Sequence, residues 1–430
     1  MTDSGPSFRE ALGVWLRVGC LGFGGPAGQI ALLHRAVVEE KGWIDEASFA
    51  HALSFCMLLP GPEAQQLAVW LGWKLHGVRG GVAAGLLFVL PGLLLMLALS
   101  ALYVVYGRSE WAGPVLLGLK AAVVALVAQA LVRIGGRTIR DRTSLAVALA
   151  AFAVLSFTVL PFPLIILFAG GLGWVLAGKA TASDPGEPPQ SPQPLAGAGR
   201  TALICLVAWL APVLLALALA PHSTLARMGV VFSGLAVVSV GGAYAALAYL
   251  GQVASALGWV TPAQMLDGLG LAETTPGPLV LVFSFVGFVG AYQAASPPLA
   301  WLAGLAGGLM AAWTTFAPSF LWIFAAGPFV ERLRSQARPA RALALISAAA
   351  VGVIGQLAVW FAIHLLFRTG QTLEAGLFRV MVPRLESLDA GAFGLTALAV
   401  GLAFGVRLPV PALVAVLVMA GLLLRLIGLA

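Results

Sequence analysis

Four short interruptions stand inside an otherwise apolar chain, and they hold most of its chemistry: GFGGPAGQ at 22–29, LLPGPEAQQ at 58–66, SVGGAY at 239–244 and ETTPGPLVL at 273–281. Proline lacks a backbone N–H and opens helices well, while glycine permits sharp turns. Each interruption therefore predicts the end of one half-helix and the start of the next. A helix start presents unpaired N–H groups and the positive end of its dipole. Backbone freed at membrane depth is tolerated only where it faces protein or a polar cavity. Two such pairs facing each other would form a cage of N–H donors suited to an anion. The candidate binding residues of the first pair are Gly24, Gly25, Pro26, Pro60, Gly61, Pro62 and Glu63. Those of the second are Gly241, Gly242, Thr274, Thr275, Pro276, Gly277 and Pro278. The competing reading is simple kinks and close-packing glycines, with the two threonines capping the helix that follows Pro276.

Ionisable residues inside apolar segments are costly and invite a reason. Glu63 directly follows the first Pro-Gly-Pro and Glu273 precedes the second, which makes them candidates for proton coupling. A first-turn carboxylate matched to the helix dipole is the alternative for Glu63. Lys120, in the middle of VLLGLKAAVVALV, is expected to contact the anion or to pair with Glu63, with snorkelling as the alternative. Arg17 and Asp267 read as residues at the membrane interface or near the site. His51 and His364 stand alone at no metal-ligand spacing, and Cys20, Cys56 and Cys205 read as small buried hydrophobes. HExxH, GxxxxGK[ST], CxxC and GxSxG are absent, which argues against a zinc protease, a self-contained ATP-driven pump and a serine hydrolase.

The elements that must position these residues follow from composition. Sixty per cent of the 430 residues are hydrophobic, 10% are charged, and mean hydropathy is +0.98. A soluble domain carries about a quarter charged residues. Apolar stretches long enough to cross ~30 Å of hydrocarbon recur throughout, and their continuity excludes a barrel. The expected fold is an all-α polytopic membrane protein of about 13 spans, within a range of about 10–13. The net charge of +7 arises from short basic loops without aromatic interleaving, so nucleic acid is not an expected partner. The first residues lack the pattern of a cleavable signal peptide.

The chain reads as two related halves. Residues 1–178 form one repeat, 179–200 a flexible cytoplasmic linker rich in Pro, Ser, Gly and Ala, and 201–430 an extra span plus a second repeat. Trp43 of GWID stands 17 residues before Pro60, and Trp259 of GWVT stands 17 before Pro276. LFVLPG at 87–92 loosely matches TTFAPS at 314–319. The arginine-rich loops 133–142 and 331–341 are both expected in the cytoplasm. The extra span then inverts the second repeat relative to the first, a common plan of secondary transporters.

FGGPAGQIALLH, EEKGWIDEASFAHALSFCMLLPGPEAQQLAVWLGW and, in the second half, ETTPGPLVLVFSFVGF resemble the signature of the chromate ion transporter family in its long, two-domain form. Half two departs from the first pattern, with GGA for GGP and Leu279 in place of Glu63. The resemblance implies a secondary transporter in the bacterial cytoplasmic membrane, exporting chromate and conferring resistance, with sulfate as a structural mimic. Uptake of sulfate or molybdate is the runner-up, and a membrane-embedded enzyme built on Glu63, Glu273 or Asp267 the third reading. Expected partners are chromate and sulfate, bilayer lipid and a coupling proton, with a homodimer as the assembly to test. Neither a cofactor nor a metal is expected.

Overall fold

A computed structural model describes residues 6–23, 25–57, 59–177, 198–239, 243–326 and 337–427. Gly24, Gly241, Gly242, linker residues 179–197 and loop residues 331–336 lie outside the described residues, whereas 198–200, expected in the linker, already belong to a helix. The helices are α1 (Phe8–Leu21), α2 (Gly25–His34, continued by a π turn), α3 (Glu46–Cys56), α4 (Glu63–Tyr106), α5 (Ala112–Thr138), α6 (Arg142–Phe157), α7 (Phe162–Leu176), α8 (Ala198–Leu219), α9 (Thr224–Val238), α10 (Ala243–Ala256), α11 (Pro262–Thr274), α12 (Val282–Ala294) and α13 (Ala300–Leu321). They are followed by α14 (Ala337–Leu366), an antiparallel ribbon of β1 (Gly370–Ala375) and β2 (Phe378–Pro383), α15 (Ala390–Val400) and α16 (Val410–Leu426). The ribbon is a short non-helical addition to the expected helical fold.

Among the described residues, five stretches are long and apolar enough to cross a membrane, including Glu63–Tyr106, Ala112–Thr138 and Arg338–Leu366, and six shorter apolar helices accompany them. Polarity is inside out. Phe168, Val175 and Leu219 are 73%, 75% and 77% exposed, while Gln29, Gln65, Gln66, Ser284 and Ser319 are buried. Such a surface is stable only against lipid. The molecule is a multi-pass helical membrane protein.

Three of the Gly/Pro interruptions fall between helices among the described residues. α1 ends at Leu21 and α2 starts at Gly25, α3 ends at Cys56 and α4 starts at Glu63, and α11 ends at Thr274 ahead of Pro276, Gly277 and Pro278. GWID and GWVT work alike: Gly42 and Gly258 have φ +60° and +69°, a conformation that costs glycine nothing. The tryptophan N–H then closes on the preceding helix, Trp43 on Val37 and Trp259 on Ala254, both at 2.9 Å. The last residue of each motif caps the next helix: Asp45 accepts from Ser48 N–H at 2.8 Å, and Thr261 from Gln264 N–H at 3.2 Å.

The chain forms two compact units, each drawing on both sequence halves. The first contains residues 1–98, 180–243 and 275–337; the second contains 99–179, 244–274 and 338–430. In the first unit α4 reverses at His76–Gly77, so that a Cβ on Gly72 would lie 2.4 Å from the Gly80 carbonyl oxygen. The pair α12–α13 makes the same hairpin, where a Cβ on Gly287 would lie 2.4 Å from the Gly307 carbonyl oxygen. Proline sits within the returning arm of both hairpins, as Pro91 and Pro318.

In the second unit Arg341, at the start of α14, pairs with Asp141, the cap of α6, at 2.8 Å. That contact puts the two arginine-bearing loop ends together, at one end of the α6 and α14 helices.

Candidate functional site

The first unit brings the breaks of the two halves together in a crossed pattern. Gly61, in the Pro-Gly-Pro of half one, donates its N–H to Ser239 O at 3.2 Å, at the end of α9 in half two. Gly277, in the Pro-Gly-Pro of half two, donates to Gly22 O at 3.0 Å, at the end of α1 in half one. The acceptors share one backbone conformation, φ −75°, ψ 64° at Gly22 and φ −73°, ψ 53° at Ser239. The donors share another, with φ +111° at Gly61 and +104° at Gly277. Only glycine adopts that conformation without strain. Each Pro-Gly-Pro contains a single N–H, and that group is engaged in the crossing.

Glutamines consolidate the crossing. Gln29 of α2 is fully buried and donates its amide N–H groups to Gly22 O at 3.2 Å and to Gly277 O. Gln66 donates to Pro60 O at 2.7 Å, and Gln65 to Phe316 O at 3.4 Å. Ser319 is buried on the returning arm of the second hairpin, 3.8 Å from where a Gly61 Cβ would stand. The carbonyl partners fix the amide orientation, so Oε1 of all three glutamines is the end left over, buried and unbonded within the protein. The motifs contained these glutamines, but one sequence shows no partner 248 positions away.

With the glycine N–H groups occupied, the N–H groups at the breaks that lack an acceptor within their helix are those of the first helical turns. They belong to Glu63, Ala64 and Gln65 in half one and to Leu279 and Val280 in half two, where no carbonyl precedes them in the helix. Glu63 is the first residue of its helix, and Pro276, Gly277 and Pro278 are all buried. Gly25, with φ +67°, and Pro26 open α2. Thr275 is buried, whereas Thr274 donates its hydroxyl to Leu271 O at 2.8 Å. Thr274 therefore ties off the end of α11 with its hydroxyl.

The second unit holds the remaining buried charges. Lys120 Nζ lies 3.0 Å from Asp267 Oδ1, and the Tyr103 hydroxyl donates to Asp267 Oδ2 at 2.9 Å. The expected partner Glu63 is thus replaced by Asp267, which is 3% exposed and packed inside the protein. Glu273, six positions along the same helix, accepts from the Tyr244 hydroxyl at 3.0 Å. Arg17 pairs with Glu40, both partly exposed. His364 bonds the carbonyl of Trp360 one turn back.

Paired breaks, crossed between two related halves and framed by glycine-packed hairpins, define a membrane transport protein of the broken-helix class. The sequence profile of the chromate transporter family matches residues 9–174 and 226–424. A chromate transport protein of Pseudomonas aeruginosa is 33% identical over 412 residues, covering 93% of this chain and 87% of that one. The chromate transport protein of Cupriavidus metallidurans is 28% identical, with 81% of each chain covered. A probable chromate transport protein of Synechococcus elongatus is 28% identical over 97% of this chain and 95% of its own. This chain belongs to the chromate transporter family. No solved structure matches it.

Proposed function

We propose that this protein is a secondary transporter that carries chromate, a tetrahedral dianion, out across the bacterial cytoplasmic membrane. The repeats 1–178 and 201–430 are read as inverted, with the linker in the cytoplasm. The observation that carries the reading is the crossed pair Gly61–Ser239 and Gly277–Gly22, which sets two helix starts at the junction of the halves. Helix starts are anion sites by geometry and dipole. The names of the relatives supply chromate among the tetrahedral anions.

Electrical driving force favours the outward direction. An inside-negative potential contributes ~2.3 kcal/mol per charge per 100 mV to anion exit. Glu63 shares its helix start with the proposed anion, and a carboxylate beside a dianion is repelled. A proton on Glu63 removes that repulsion, so anion affinity and pH are linked through this residue. Glu273, held by Tyr244, is the second proton-carrying candidate. The test is flux of chromate in vesicles containing the purified chain. Chromate flux following an imposed potential supports the reading, and turnover of a substrate without net anion movement overturns it.

A further inference from the structure

The ribbon of the second unit is amphipathic. Leu373 faces Val380, Gln371 faces Val382 and Ala375 faces Phe378 across the two strands. Side chains alternate along a strand, so these six share one face, apolar apart from Gln371. The opposite face carries Thr372, Met381 and the ion pair Glu374–Arg379 at 3.2 Å. The apolar face is open, with Leu373 59%, Phe378 61% and Val382 43% exposed. A lone two-stranded ribbon is marginal in water, and an uncovered apolar sheet face is a liability there.

Its attachment indicates what covers it. The ribbon joins the end of α14 to the start of α15, and Val159 N–H donates to Leu377 O at 3.1 Å, tying it to the turn between α6 and α7. That turn is itself apolar and exposed at Phe157, Val159 and Leu160. From Leu160 an open groove of about 250 Å³ runs between α6 and α7 past Leu164, Phe168 and Leu172, with only apolar side chains along it. The ribbon is thus attached to a surface whose exposed side chains are apolar throughout. Residues 368–389 carry Arg368, Arg379 and Arg384 against Glu374, Glu386 and Asp389, a balanced set that selects no charged partner.

We propose that the ribbon is an interfacial anchor, lying with its apolar face in the headgroup–acyl boundary of the bilayer and its polar face in water. The inference rests on the membrane class of the protein and is independent of what it transports.

The wild-type chain, reconstituted in phosphatidylcholine vesicles that contain a phospholipid with a photoactivatable group near its glycerol end, tests it by peptide mapping of the adducts. The expected result is labelling at Leu373, Phe378 and Val382 about threefold or more above Thr372, Glu374 and Arg379, following the strand alternation. Adducts on Phe168 and Leu172 with none on the ribbon would overturn it. So would ribbon residues that cross-link to a second copy of the chain in place of lipid.

Discussion

At Gly61 and Gly277 a single hydrogen atom in place of a methyl group sustains the crossing. Alanine at either position meets a φ beyond +100°, a strain of about 1–3 kcal/mol, and at Gly61 it also meets Gln66 Nε2 at 3.0 Å. Gly61→Ala and Gly277→Ala should each lower the melting temperature in detergent and abolish flux; a variant that melts and transports like the parent removes the crossing from the mechanism. Lys120 belongs to a different account. Lys120→Met leaves Asp267 buried without its cation and should cost about 3–5 kcal/mol, much of it recovered in Lys120→Met/Asp267→Asn. Unchanged stability of Lys120→Met, read from denaturation in detergent, would return Lys120 to the list of ligand contacts. The Pro-Gly-Pro motifs were legible because proline and glycine have few other reasons to recur at fixed spacing. Gln29 was not, because an amide carries no mark of which carbonyl it will reach. Of the readings open for Lys120, the pair with Glu63 gives way to Asp267, because mid-span position reveals that a charge needs a partner and not which helix supplies it.

Among the elements, the hairpins depend on backbone contact at Gly72–Gly80 and Gly287–Gly307. Gly287→Leu drives a side chain into the Gly307 carbonyl and should yield protein that aggregates on size-exclusion chromatography. A monodisperse, active variant would show that the α12–α13 contact yields easily. The α6 cap gives a pH signature. Its bond to Arg341 and the N–H of Ser144 hold the Asp141 carboxyl down to about 2. A carboxyl depressed in the folded state adds stability above its ordinary range, and that stability is lost as pH falls towards the folded value. Arg341→Gln should therefore melt below the wild type at neutral pH, with the gap closing between pH about 4 and about 2. A gap independent of pH would assign the effect to packing. Helix breaks were readable from sequence through Pro-Gly-Pro, whereas GWID and GWVT served only as spacing marks and their left-handed glycines and caps emerge from the structure. The ribbon was missed because its two short, largely exposed strands sit between long apolar segments and carry charges that read as loop.

For the whole molecule, composition alone specifies lipid as the solvent, and repeat spacing supports the reading of two related halves. How the halves are distributed was hidden: each compact unit takes pieces from both, an arrangement that local patterns along one chain do not encode. Chromate entered through resemblance and then through relatives, since helix starts are selective for negative charge and little more. The linkage through Glu63 is a whole-molecule property as well. Glu63→Gln should flatten the pH profile of transport while leaving flux at acidic pH near the wild-type value, and an unaltered profile would exclude Glu63 from coupling. The central claim is met most directly by measuring radiolabelled chromate leaving vesicles that contain the purified chain, at fixed pH, with and without an imposed potential and with competing sulfate. The account predicts chromate movement driven by the potential and slowed by sulfate. Retention of chromate under every potential, in vesicles whose protein is folded, would contradict it.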